Sequence, residues 1–140
     1  MTEKIFIDTN VLFYAYDENG SEKHLLAKNK LEEIWQNSSG VISLQVLQEF
    51  YNSASKKLIN KLQHHKLKEI IGLYKAWELV KLDISGLLQA IDLQQDYKIS
   101  FWDSLIVQAA LSAHCVILLT EDLNHGQKIK GMKIVNPFKS

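Results

Sequence analysis

Four acidic residues of this chain stand beside apolar runs: Asp8 in Ile5-Phe6-Ile7-Asp8-Thr9-Asn10-Val11-Leu12, Glu49 in Leu47-Gln48-Glu49-Phe50, Asp103 in Phe101-Trp102-Asp103-Ser104, and Asp122 in Leu119-Thr120-Glu121-Asp122. Each has a plain alternative. Carboxylates are favoured at helix starts, which accounts for Glu49 and Asp103 taken singly and for Asp8 as the opener of a helix. Asp122 is equally at home in a turn. As a set they imply more. Two carboxylates ~4 Å apart repel by roughly 4 kcal/mol at an effective dielectric of 20. Several such pairs stay ionised together only with protons or a cation between them. A ligand set made of oxygens suits Mg2+ or Mn2+ rather than zinc. Cations held in that way suit phosphodiester hydrolysis, because an ion can generate hydroxide and stabilise the leaving oxygen.

The elements that must position these acids follow from pattern. Ile5 to Ile7 is a continuous apolar run and reads as a strand buried on both faces. Asp8 then falls at its carboxyl end, where open α/β sheets place their ligands. Thr9 or Asn10 is expected to cap a helix starting at Val11. A turn at Asp17 to Ser21 leads to a helix over about Glu22 to Gln36, whose apolar face is read as Leu25, Leu26, Leu31, Ile34 and Trp35. Val41 to Ser43 is a short strand, and Leu44 to Leu62 a helix with Val46, Leu47, Phe50, Tyr51, Ala54 and Leu58 at helical spacing. Further helices are expected over Lys66 to Trp77, Ile84 to Tyr97 and Ser100 to Ala113, and strands over Leu79 to Leu82, Val116 to Leu119 and Lys133 to Val135. In the helix Ile84 to Tyr97, Leu87, Leu88, Ile91 and Leu93 are expected mostly inward. Glu121 is taken to point outward. Strands alternating with helices at this rhythm imply a three-layer α/β/α domain with a mainly parallel sheet.

The chain has 140 residues, one proline and 46% hydrophobic residues, which fits a single domain over 1–140 and argues against disorder. No apolar run approaches the ~20 residues of a membrane span. The first strand follows Lys4 directly and leaves no room for a signal peptide, so a cytoplasmic location is expected. The one cysteine, Cys115, sits in an apolar run and makes neither an internal disulfide nor a cysteine-based zinc site. Lysine plus arginine and aspartate plus glutamate both number 16, so nucleic-acid binding has to rest on local patches.

The four acidic segments, Phe6 to Val11, Leu47 to Phe50, Phe101 to Ile106 and Leu119 to Leu123, resemble in order and spacing the acidic motifs of PIN-domain ribonucleases. The chain is especially similar to VapC-like toxins of bacterial toxin–antitoxin pairs. Each motif alone is weak, but the ordered quartet spans nearly the whole chain. The resemblance implies that Asp8, Glu49, Asp103 and Asp122 bind Mg2+ or Mn2+ and direct water onto an RNA phosphodiester. Thr9, Asn10, Ser104 and Thr120 would support them, with capping and turn roles as the alternative. Many relatives carry a further acid where this chain has Asn124, which leaves a second metal open. The resemblance also implies a homodimer and an antitoxin partner whose tail sends a basic side chain to the acids, with Leu12, Tyr16 or Trp35 supplying its groove.

Residues 56 to 68 hold five lysines, two histidines and no acid. Lys56, Lys57 and Lys61 are candidates for steering RNA, against the alternative of a solvated helix end. Lys128, Lys130 and Lys133 form a weaker patch. Trp102 is placed in the core, with base stacking as the second option, and His114 and His125 are read as structural or exposed. Two rivals remain. A haloacid-dehalogenase-type phosphatase also opens on a strand ending in Asp, but needs an acid where Asn10 stands. A PIN-like module that only binds a partner would need no cation.

Overall fold

The computed structural model describes residues 3–37, 39–58 and 63–139. Six strands, β1 (Lys4–Ile7), β2 (Ser39–Ser43), β3 (Glu78–Val80), β4 (Ile117–Leu119), β5 (Lys128–Ile129) and β6 (Met132–Val135), form one sheet in the order β3-β2-β1-β4-β6-β5. All neighbours are parallel except β5 and β6. Phe6, Ile7, Val41, Ile42, Leu118 and Leu119 are all buried. Successive residues of a strand face opposite sides, so burial of adjacent pairs requires cover on both faces.

That cover comes from α1 (Thr9–Tyr16), α2 (Ser21–Asn37), α3 (Leu44–Lys57), α4 (His64–Leu73), α5 (Ile84–Tyr97) and α6 (Phe101–Ser112), with a 3-10 turn at Tyr74–Ala76 after α4. The chain builds outward from β1 to β2 and β3, then returns to place β4 on the other side of β1. Right-handed crossovers put α1 to α4 on one face and α5 and α6 on the other. The packing follows that division: α1 lies against α2 and α3, α3 against α4, and α5 against α6. The fold is the three-layer α/β arrangement expected, and β1 with β4 forms its switch point.

Several local expectations are corrected. The first helix begins at Thr9 rather than Val11, and its N-cap is Asp8 itself, whose carboxylate accepts from the Thr9 N–H at 2.7 Å. The third helix ends at Lys57 with Leu58 as C-cap, and the remainder of the expected helix, 59–62, lies outside the described residues. The helix expected over Lys66 to Trp77 starts earlier, at His64, and tightens to 3-10 geometry from Tyr74. The strand expected to reach Leu82 runs Glu78–Val80 instead. The two-residue β5, antiparallel to β6 through a turn at Lys130 and Gly131, was not foreseen; both turn residues have positive φ (48° and 86°), and such turns match the strand twist.

The inward faces of two helices are built from smaller residues than expected. In α2 the buried set is Ala27, Leu31 and Ile34, while Leu25 is 58% exposed and Trp35 43%. In α5 it is Gly86, Ala90 and Leu93, spaced i, i+4 and i+7, and small enough to bring α5 close to α6. Leu87, Leu88 and Ile91 point outward instead, because adjacent residues cannot share one helix face. Tyr51 is likewise exposed. Among the described residues no helix is long and apolar enough to cross a membrane. Burial raises the Cys115 thiol to about 12, so it stays a neutral packing group.

Candidate metal centre

Asp8 reaches the carboxyl edge of the sheet because β1 continues its pairing one residue further. The Asp8 N–H donates to the Leu119 carbonyl at 3.0 Å, which sets the residue beside the end of β4. On the other side, the Thr120 N–H donates to the Val135 carbonyl at 3.0 Å and holds the β4 end in register. Asp103 arrives on the first turn of α6, whose N-cap is Ser100; the Ser100 hydroxyl accepts from the Asp103 N–H at 3.0 Å. Asp122 follows β4 by a short turn in which its own N–H donates to Thr120 Oγ1 at 3.1 Å. These three segments are distant in sequence, yet one carboxylate oxygen from each of Asp8, Asp103 and Asp122 lies within 4.8 Å of the others.

Three ionised carboxylates at that spacing repel by roughly 3.5 kcal/mol per pair at an effective dielectric of 20. The protonation of the group reflects this. Burial above all, with Asp122 and Asp103 adding repulsion, pushes the Asp8 carboxyl up to about 7 against the opposing hydrogen bonds from Thr120 and Thr9. Asp103 is also raised, first by burial and then by Asp122 and Glu49, with the Ser100 hydrogen bond working the other way. A proton or a divalent cation relieves such a group, and an all-oxygen set fits Mg2+ or Mn2+.

Glu49 shares the cavity but not the tight cluster. Its carboxylate is held by Thr9, whose Oγ1 donates to Oε1 at 2.8 Å, and by Gln45, whose Nε2 donates to Oε2 at 3.3 Å. The cavity, of about 520 Å3, is lined by all four acids together with Thr9, Asn10, Gln45, Lys57 and Trp102. The expected quartet is therefore three acids around one point and a fourth on the wall.

Of the supporting residues, Thr9, Asn10 and Thr120 are in contact with acids and Ser104 is not. Thr120 Oγ1 donates to Asp8 Oδ2 at 2.8 Å. Asn10 Nδ2 donates to Asp122 Oδ2 at 3.0 Å, and its Oδ1 accepts the Glu121 N–H at 3.2 Å. Ser104 is fully buried and donates back to the Phe101 carbonyl at 2.6 Å, a bond internal to its helix. Glu121, expected to point outward, also lines the cavity, but its carboxylate pairs with Lys23 at 2.8 Å and is not one of the three that converge.

Lys57 lines the cavity from the last turn of α3; Lys56 is exposed beside it, and Lys61 lies outside the described residues. Trp102, expected in the core, is 63% exposed at the cavity wall. His125 is structural, with Nδ1 accepting the Asn136 N–H at 2.9 Å. Sequence reasoning missed Gln45 and Ser100. Gln45 stands one helical turn before Glu49, a spacing that puts both on one face, and Ser100 is the serine three residues ahead of an acid that marks a helix start.

A second cavity, of about 510 Å3, opens between α1, α2 and α4 and is lined by Tyr16, Leu31, Trp35, Ile70 and Leu73 among others. Tyr16 and Trp35 belong to it as expected, whereas Leu12 is fully buried and cannot.

A family model described as "PIN domain" matches residues 5–129. No curated protein sequence matches the chain. Among solved structures the chain is similar to a toxin–antitoxin complex from Klebsiella pneumoniae, at a TM-score of 0.72 and 20% identity, covering 97% of this chain and 99% of that one. It is similar to VapBC2 from Rickettsia felis, bound there to a DNA fragment from its promoter, at 0.66 and 19%, covering 94% and 96%. It also resembles the Mycobacterium tuberculosis Sarcin-Ricin loop cleaving toxin VapC20, at 0.59 and 17%, covering 81% and 86%. At these identities the likeness is one of fold.

Proposed function

Because this chain belongs to the PIN domain family, we propose that it is a divalent-metal-dependent endoribonuclease acting as the toxin of a toxin–antitoxin pair. The observation that carries the reading is the convergence of Asp8, Asp103 and Asp122 within 4.8 Å at the switch point of the sheet. A module that only bound a partner would gain nothing from three carboxylates that destabilise one another. Asp8, Asp103 and Asp122 would hold the ion. Bound Mg2+ or Mn2+ supplies a Lewis acid for the phosphodiester and lowers the pKa of water. Glu49, held by Thr9 and Gln45 on the cavity wall, would take the proton of the attacking water. Lys57 meets the phosphate backbone from the opposite charge class. Thr120 and Asn10 orient Asp8 and Asp122.

The toxin role draws on the structural neighbours described as toxins or toxin–antitoxin complexes. The apolar cleft beside Tyr16 and Trp35 suits an antitoxin segment, whose basic side chain would pair with the acids in place of the ion. The outward face of α5, with Ile84 76% and Leu88 58% exposed, suits a homodimer contact. One domain over 1–140 in the cytoplasm completes the reading.

Purified protein is expected to cleave RNA only with Mg2+ or Mn2+, to stop on chelation, and to lose cleavage as Asp103→Asn with an unchanged circular dichroism spectrum. Cleavage that survives both chelation and Asp103→Asn refutes the metal-dependent mechanism at these acids. Expression of the chain alone is expected to arrest growth and co-expression of the adjacent-gene partner to restore it. Normal growth with soluble, active protein removes the toxin role and leaves the nuclease.

A further inference from the structure

Trp102 is the large exposed aromatic of the acid cavity, and the proposed chemistry gives it no task. It lies immediately before Asp103 on the first turn of α6 and is 63% exposed. The same helix buries Ser104 and the whole run Ile106 to Ala110, covered on all sides, whereas the indole at its first turn stays exposed. Phe101 packs edge to face against it, with ring centroids 5.1 Å apart and planes at 68°, which restrains the ring without covering it. The ring shares its cavity with Lys57, Gln45, Asn10 and the four acids. That wall mixes charged and polar groups with Phe13, Tyr14 and Ile106, whereas the more extended apolar faces an aromatic protein anchor seeks lie elsewhere, on α5 and beside Trp35.

We propose that Trp102 is a stacking platform that positions a nucleobase next to the scissile phosphodiester. The inference rests on the nuclease reading and adds a substrate-positioning residue to it. Adjacency of Trp102 and Asp103 means that a phosphate at the acids and a base on the indole belong to the same or neighbouring nucleotides. A base inside a duplex is already stacked and cannot reach the ring, whereas a splayed base in a loop or single strand can. Every base has a π-face, so the platform does not select for a particular letter.

The test is affinity for a fluorescein-labelled single-stranded RNA hexamer, read by anisotropy with Ca2+ as the divalent ion, for the wild type, Trp102→Phe and Trp102→Ala. Trp102→Ala is expected to raise Kd about 5- to 140-fold, the equivalent of the roughly 1–3 kcal/mol that base stacking contributes. Trp102→Phe should recover most of it. The penalty should vanish on a hexamer made abasic around the cleavage position, because the two deletions remove one interaction. In Mg2+, KM should rise more than kcat falls. Equal affinity of the wild type and Trp102→Ala overturns the inference and leaves the nuclease standing. So does a loss that is the same on abasic RNA and accompanies a fall from dimer to monomer in ultracentrifugation, which makes Trp102 a protein contact. A wild type that neither binds nor cuts RNA with any divalent ion removes the nuclease reading and this inference together.

Discussion

Replacing Asp8 by asparagine pits a removed charge against a misplaced donor, and pH decides which wins. In the ion-free protein the Asp8 carboxyl is raised from 3.8 to about 7, chiefly by burial. The folded state then binds more protons than the unfolded chain between those values, so this group's contribution to stability is present at low pH and is lost as pH rises through about 7. At 1.36 kcal/mol per unit, the ionised carboxylate costs about 4 kcal/mol by pH 8, and roughly 3 of that develops above pH 5. Asparagine has no such cost. Its amide NH2, however, meets Thr120 Oγ1, which already accepts from Asn10 Nδ2 and from the Asp122 N–H. An unpaired buried donor costs about 1–3 kcal/mol. Asp8→Asn should therefore be more stable than the wild type by roughly 1–3 kcal/mol at pH 8 and close to equal at pH 5. In a domain of this size 1 kcal/mol moves Tm by roughly 4 °C. Thermal melts in chelator should show the Tm difference, variant minus wild type, rising by roughly 10 °C from pH 5 to pH 8. A difference that does not change with pH would mean that Asp8 is not the strained member of the cluster.

The same titration governs metal uptake: Asp8 must lose its proton to ligate, so Mn2+ affinity should fall by up to about tenfold per unit below pH 7 in calorimetric titrations, and a flat profile speaks against Asp8 as a ligand. Asn10→Ala frees both the Asp122 carboxylate and the Glu121 N–H, and is expected to weaken metal binding about 10- to 100-fold with a small change in Tm; unchanged affinity would make Asn10 a turn residue only. Lys57→Ala should weaken RNA binding across sequences and lower the slope of log affinity against log salt by about 1, while Lys56→Ala, off the cavity, should do less; equal effects would point to a diffuse surface field.

Much of the site was legible because buried strands announce themselves. Ile5 to Ile7 and Val116 to Leu119 are apolar without alternation, and each ends in polar residues, which located Asp8 and Asp122 at one sheet edge. Helices α5 and α6 lie within a residue of their expected bounds, and the caps that set their starts, Asp83 and Ser100, were signals the sequence reading did not use. What failed was choosing which apolar residues face inward. The stripe of α5 uses Ala90 and Gly86, where a Cβ would come within 2.9 Å of the Leu82 side chain, and size-weighted reading favoured Leu87 and Leu88. Trp102 was misplaced in the same way, because an aromatic beside a buried helix face reads as core until the register is known. The separation of Glu49 from the other three acids depends on hydrogen bonds from Thr9 and Gln45 that spacing alone cannot reveal.

The central claim is that Asp8, Asp103 and Asp122 form one divalent-cation site. Its most direct test is Mn2+ binding followed by electron paramagnetic resonance at pH 8, in the wild type and in Asp103→Asn. The account predicts saturable binding by the wild type, weakened at least about tenfold in the variant as one carboxylate ligand and its charge are lost. Indistinguishable Mn2+ binding by the two proteins, or none by either, would contradict it.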